Sequence, residues 1–379
     1  MQVFVGKISA LLNPVTYVII NIAVVAVIWV GAEQADSGII TQGKVIALVN
    51  YMSQILVELI KMANLIIIIS KAVACMNRVD SIFKVESSIE DKGRRGSRKP
   101  GFQNSGSQNS GSQNPGPQNS GPQNPALRIP KVEFKDMEFV YAGAKEPALK
   151  DISFCAMAGQ TIGVIGGTGS GKSTLVNLIP RFYDAASGQV LVDGTDVKEY
   201  SLDELRDKTG VVPQKSVLFK GTLRDNMRWG KQDASDEEIY RALDTAQARE
   251  FVDSKGEGLD LYIDQGGHNL SGGQRQRLTI ARALVRRPEI LIMDDSASAL
   301  DFATDASLRK AIRENTGDMT VFIVSQRATT IKSADTILVL DEGRLAGMGT
   351  HKELLKDCQV YREICLSQLS KEEVERDEQ

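Results

Sequence analysis

Histidine is almost missing from this chain. Only His268 and His351 occur among 379 residues, so chemistry that needs an imidazole has two candidates at most. Cysteine is scarce too, and Cys75, Cys155, Cys358 and Cys365 include no C-x-x-C pair. That spacing excludes a zinc site and a disulfide framework, and reads as reduced thiols facing the cytoplasm. An excess of positive charge is also lacking: 45 Lys and Arg against 48 Asp and Glu leave a net charge of -3. No global basic field exists to hold nucleic acid. The first oily stretch lacks the basic n-region and small-residue cleavage site of a secretory leader and is followed by a second one, so it is expected to remain in the chain. The length leaves room for two or three domains.

Long apolar runs are present. "VTYVIINIAVVAVIWVGA", Val15 to Ala32, carries no charge and is about the length of a bilayer crossing, roughly 20 residues. After the polar gap "EQADSG", a second run extends from Ile39 to Ala72, interrupted by Lys44, Glu58 and Lys61. The spans are placed at about 11–32 and 39–72, within a membrane segment 1–85. The second run exceeds one crossing, which implies a tilted helix with a cytoplasmic extension. Lys71 at its end is followed by Arg78, Lys84, Lys92, Arg94, Arg95, Arg98 and Lys99, whereas the gap is acidic. Both ends are therefore expected in the cytoplasm and the gap outside, in a multi-pass protein of the plasma membrane. Glu58 and Lys61 lie three apart on a helix, so they either line a substrate cavity or serve as an internal ion pair or interface anchor.

Residues 86–128 read as a linker. The basic run "KGRRGSRKP" leads into "GFQNS GSQNS GSQNP GPQNS GPQNP", five units of five whose one large apolar residue is Phe102. Such a segment cannot bury a core and is expected to be disordered. From 129 to 370 the pattern changes: "TIGVIG", "EILIMDD", "TVFIVSQ" and "TILVLDEG" alternate with helical stretches, which predicts an α/β domain. A charged tail, 371–379, ends the chain.

"GGTGSGKST" comprises Gly166, Gly167, Thr168, Gly169, Ser170, Gly171, Lys172, Ser173 and Thr174. It fits the phosphate-loop pattern G-x-x-x-x-G-K-[ST], after a strand and before the helical "KSTLVNLIP". The glycines let backbone N–H groups wrap phosphates, Lys172 would reach the β- and γ-phosphates, and Ser173 would bind Mg²⁺. "EILIMDD" is an apolar strand ending in Asp294 and Asp295, which places a metal ligand beside a catalytic base. In "LSGGQRQRLTIARAL", Ser271 is the expected N-cap of a helix, followed by Gly272, Gly273 and Gln274.

The order of these three motifs resembles the ATP-binding cassette (ABC) family, over Ile129 to about Leu369. The implied fold is an ABC-type α/β phosphate-loop domain preceded by two transmembrane α-helices, with ATP and Mg²⁺ as cofactors. The resemblance implies that Tyr141 stacks on adenine, that Gln214 contacts Mg²⁺ and the attacking water, and that Asp294 holds Mg²⁺ through water. It also implies that "SALD", Ser298 to Asp301, crosses a dimer interface. In the family, two cassettes sandwich two ATP molecules, each between one chain's phosphate loop and the other chain's "LSGGQ".

Two positions depart from that pattern. Asp295 stands where the family usually has Glu, one methylene shorter, on the order of 1.5 Å. A catalytic group misplaced by about 1 Å can lose roughly 100-fold in rate. Gln326 stands where a histidine holds the γ-phosphate, and a glutamine cannot carry charge. Together they resemble the degenerate half of a bacterial heterodimeric multidrug-type exporter: a weak site of its own, and an intact signature that completes the partner's site. The expected partners are a second half transporter and the lipid bilayer, with no nucleic acid.

Exporter halves of this type resemble six membrane helices followed by one cassette, and the two spans here resemble the last two. The expectation is either a start internal to a longer protein or a truncated product. A membrane-anchored regulatory ATP-binding protein is the alternative function. The transported substrate is not legible, because 6% aromatics and one Glu–Lys pair do not separate a drug, a lipid or a peptide.

Overall fold

The structure, a computed structural model, describes residues 2–84, 89, 91, 129–296 and 300–378. The linker repeat and Ser298 lie outside the described residues. The chain divides into two compact units, Met1–Ser88 and Ile89–Gln379.

The first unit is a pair of helices, α1 (Gln2–Asp36) and α2 (Gln42–Phe83), joined by a short turn. Both contain stretches long and apolar enough to cross a bilayer. At 1.5 Å per residue, the 42 residues of α2 measure about 63 Å, roughly twice the hydrocarbon thickness. The helices meet closely at Gly31, where a Cβ would come within 2.7 Å of Val45. Glu58 and Lys61 pair with each other at 2.7 Å, both well exposed.

The second unit is α/β. It begins with β1 (Val132–Phe139), β2 (Leu149–Ala156), β3 (Thr161–Gly166), α3 (Lys172–Leu178), β4 (Ser187–Val192), β5 (Thr195–Asp196), α4 (Leu202–Lys208) and β6 (Thr209–Val212). A smaller, mostly helical section follows: β7 (Gly221–Thr222), α5 (Leu223–Arg228), α6 (Asp236–Thr245), α7 (Arg249–Ser254), β8 (Tyr262–Ile263) and α8 (Gly272–Leu284). The last section runs through β9 (Ile290–Asp294), α9 (Phe302–Asn315), β10 (Thr320–Val324), α10 (Ala328–Ile331), β11 (Thr336–Asp341), β12 (Arg344–Gly349), α11 (His351–Asp357), α12 (Gln359–Gln368) and α13 (Lys371–Glu378).

The main sheet has the order β12-β11-β3-β10-β9-β6, parallel except for β12. Its strands are continuous apolar runs because both faces are covered; all five residues of β9 and of β10 are buried. An antiparallel sheet, β2-β1-β4-β5, packs one core with α3 against the main sheet through Phe134, Phe154 and Phe322. A second core gathers α6, α8 and α9 on the opposite face. Short polar sequences start several helices: Thr222–Asp225, Ser235–Glu238, Ser271–Gln274 and Thr350–Glu353 each close a reciprocal capping box. The charged end of the chain is helical, and α13 docks by burying Val374.

Four charges tie the amino-terminal end of β9 to the antiparallel sheet. Lys131 and Lys208 each bind both Asp193 and Glu289, at 2.8 Å for Lys131–Asp193 and 3.1 Å for both Lys208 contacts. The Lys131 hydrogen bond, against burial, holds the Glu289 carboxyl below its ordinary range, with help from Lys208. Hydrogen bonds to charged groups are worth about 1.5–3 kcal/mol, less where solvent screens half-exposed carboxylates. Lys131→Met is expected to cost about 1–2 kcal/mol in urea unfolding at neutral pH. Because the folded Glu289 pKa is depressed, that deficit is full above about pH 5 and shrinks as pH falls below about 4.

Candidate functional site

The phosphate loop leaves β3 at Gly166 and enters α3 at Lys172. Glycine at 166 is a steric necessity: a Cβ there would lie 2.1 Å from the Leu340 carbonyl oxygen and 2.6 Å from Ser170 Oγ. Gly169 and Gly171 hold left-handed backbone, at φ 84° and 96°. The loop curls back, so that Lys172 Nζ donates to the carbonyls of Gly166 and Gly167 at 2.9 and 2.6 Å. Burial lowers the Lys172 pKa, opposed by the nearby Asp295 and Asp294 carboxylates. Ser170 Oγ is buried with no hydrogen-bond partner among the described residues.

Asp294 ends β9, and its Oδ1 accepts from Ser173 Oγ at 2.9 Å. Asp295 follows in left-handed backbone at φ 46°, with its N–H donating to Val324 O at 2.9 Å. Its carboxylate accepts from Gln214 Nε2 at 3.3 Å. Burial raises both aspartate pKa values; the Ser173 bond opposes this at Asp294 and the Gln214 bond at Asp295. Ser325 and Gln326 follow β10 on the same rim. The Tyr141 ring, packed edge-on against Phe139 and Tyr183, reaches α3 through a 2.7 Å bond between its hydroxyl and Thr174 Oγ1.

One cleft thus gathers Tyr141, Thr168, Gly169, Gly171 to Thr174, Gln214, Asp294, Asp295 and Gln326. Its volume, about 410 Å³, lies within the range of small-molecule sites, roughly 300–1,000 Å³. The Ser173 hydroxyl and the Asp294 and Asp295 carboxylates are oxygen donors, which suits a hard cation such as Mg²⁺. The glycine cradle, with open space at Gly169 and the Lys172 ammonium beside it, suits phosphate oxygens, whereas Gly166, Gly167 and the buried Ser170 hydroxyl do not line the cleft. Ser271 to Gln274 do not line this cleft. Ser271 caps α8, accepting from Gln274 N at 3.3 Å while Gln274 Oε1 accepts from Ser271 N at 2.9 Å. Both histidines lie elsewhere: His268 is exposed, and His351 is buried with its Nδ1 2.8 Å from the Tyr361 hydroxyl.

The sequence patterns did not point to Ala148, Val324 or Ser325, which also line the cleft, or to Gln368. Gln368, on α12, donates to the Gln326 carbonyl at 2.7 Å and accepts from Ala328 N at 2.9 Å, pinning the turn that carries Gln326. The adjacency of Ser325 to Gln326 was a readable signal. No local pattern marks Gln368.

These features define a nucleotide-binding cassette, and comparison with known proteins agrees. Residues 149–298 match the family model described as ABC transporter. An uncharacterized ABC transporter ATP-binding protein of Mycobacterium tuberculosis is 39% identical over 366 residues, covering 96% of this chain and 58% of that protein. An ATP-dependent lipid A-core flippase of Haemophilus influenzae is 43% identical over 240 residues, 63% of this chain and 41% of the flippase. A solved bacterial Atm1-family ABC exporter with ATP bound superposes with a TM-score of 0.66 at 30% identity, over 96% of this chain and 59% of that one. This chain carries the ATP-binding domain of the ABC transporter family, and its relatives include ABC exporters. It spans less than three fifths of the length of the mycobacterial relative and of the exporter structure.

The cradle can be tested by paired glycine changes. Gly166→Ala must move the Leu340 backbone and is expected to abolish ATP binding, measured by fluorescent-nucleotide titration, and to lower the melting temperature. Gly169→Ala meets open space and costs only left-handed strain, about 1 kcal/mol, so it should fold and bind more weakly.

Proposed function

We propose that this chain is the ATP-binding and permease portion of an ABC exporter half, coupling ATP binding in a cassette dimer to export of a small molecule, lipid or peptide. The observation that carries this reading is the Lys172 loop, the Ser173–Asp294 pair and Asp295 in one cleft of a chain that also holds two helices of bilayer length. In this reading residues 1–85 are part of the membrane domain, 86–128 a linker, 129–370 the cassette and 371–379 a charged tail. The protein sits in the plasma membrane with the cassette in the cytoplasm. A second half transporter, different from this chain, supplies the other cassette.

The geometry supports a division of labour. Lys172 would exchange its two loop carbonyls for β- and γ-phosphate oxygens. Ser173, Asp294 and Gln214 would hold Mg²⁺. The chemistry Mg²⁺ supplies when bound is neutralisation of charge on the phosphate oxygens. Tyr141 would stack on adenine. Asp295, steadied by Gln214, would polarise the attacking water, and Gln326 would contact the γ-phosphate without a charge. A short carboxylate and a neutral amide at those two positions support a slow site. The Ser271–Gln274 stretch, exposed at Ser271 and Gly272 and away from this chain's own cleft, would complete the partner's site.

Steady-state ATP hydrolysis by the purified full chain tests the slow-site reading. Asp295→Glu is expected to raise turnover by about 10- to 100-fold with ATP affinity little changed. Brisk hydrolysis by the unaltered chain, with no gain from that change, would overturn it.

A further inference from the structure

A second cavity lies under α9, on the face of the main sheet turned away from the antiparallel sheet. Its volume is about 340 Å³. Met293 of β9, Ile323 of β10, Ile312 of α9 and Met319 contribute an apolar floor. It shares no residue with the nucleotide cleft, because Met293 and Asp294 point to opposite faces of their strand.

The rim is one-sided in charge. Arg309, Lys310 and Arg313 line it, and among the described residues no Asp or Glu does. Arg309 pairs with Asp305 at 3.1 Å and donates to Thr330 O and Ser333 Oγ, but its Nε–H is buried with no acceptor among the described residues. Arg313 donates to Ser333 O at 3.1 Å and has no carboxylate partner among the described residues. Lys310 is 3.9 Å from Glu314, and both are exposed, so that pair is weak. An apolar floor disfavours a polar ligand, because the ligand's polar groups would lose water without gaining hydrogen bonds. A cationic rim, in which Arg313 has no carboxylate partner among the described residues, favours an anion at the mouth.

We propose that this cavity binds a single-chain aliphatic carboxylate, with its tail on the Met293–Ile323 floor and its carboxylate between Arg309 and Arg313. The cavity is small, so a medium-length chain fits better than a two-tailed lipid. The proposal uses no property of the ATP site and stands apart from the exporter reading.

The test is photolabelling of the full chain in lipid nanodiscs with a diazirine analogue of decanoate, read by peptide mass spectrometry. Saturable labelling is expected within residues 293–323, competed by decanoate and at least tenfold less well by decanol. Arg313→Glu should cut that labelling at least tenfold while leaving labelling of α1 and α2 unchanged. Ala306→Trp, at an exposed position on α9 that lines the cavity, should abolish it. Gel filtration and the melting temperature verify that each variant folds; if the Trp variant does not, Arg313→Glu decides alone. Absence of saturable labelling in this segment, or equal competition by decanol and no loss in Arg313→Glu, overturns the proposal.

Discussion

The site depends on the register of four parallel strands. Val324 of β10 pairs with Val164 of β3 on one side and Asp294 of β9 on the other, and Met293 of β9 pairs with Val212 of β6. Parallel pairing puts every carboxyl end on one rim, where α/β sheets commonly bind ligands. Gly166, Ser325, Asp294 and Gln214 therefore come from distant parts of the chain to one edge. Two backbone bonds lock that edge: Ser325 N to Val164 O at 3.1 Å and Asp295 N to Val324 O at 2.9 Å. At the other end of β9, Glu289 is anchored by Lys131 and Lys208, so the strand is fixed at both ends.

Inside the cleft, burial works against every charge. It lowers the Lys172 pKa and raises those of Asp294 and Asp295. The groups satisfy one another by internal bonds: Lys172 with its own loop carbonyls, Ser173 with Asp294, Gln214 with Asp295. A bound nucleotide would replace partners already in place rather than assemble a site. In the proposed slow site, the same close fit makes one methylene at Asp295 decisive. Its backbone is held left-handed and hydrogen-bonded to β10, so the carboxylate has little freedom to reach farther.

Much of this was legible in the sequence. The runs "TIGVIG", "EILIMDD", "TVFIVSQ" and "TILVLDEG" announced β3, β9, β10 and β11, which are neighbours in the sheet, because strands buried on both faces are apolar throughout. The glycine spacing announced the loop, and Ser271 announced the start of α8. Contacts between remote positions were not legible. Lys131 and Glu289 are 158 residues apart, and Gln368 reaches Gln326 from 42 residues away. No local periodicity encodes such pairs. The cavity under α9 was likewise invisible, since its apolar floor reads as ordinary core and its arginines as an ordinary solvated face.

If the cleft binds ATP yet turns it over slowly, bound nucleotide should stay intact on the protein. The most direct test is to load the full chain in membranes with radiolabelled ATP and Mg²⁺, remove free nucleotide, and follow the chemical state of what stays bound. Saturable binding that is lost in Lys172→Ala, with the bound label persisting as triphosphate over many minutes, is the predicted result. Prompt conversion of the bound label to ADP by this chain alone would contradict the account.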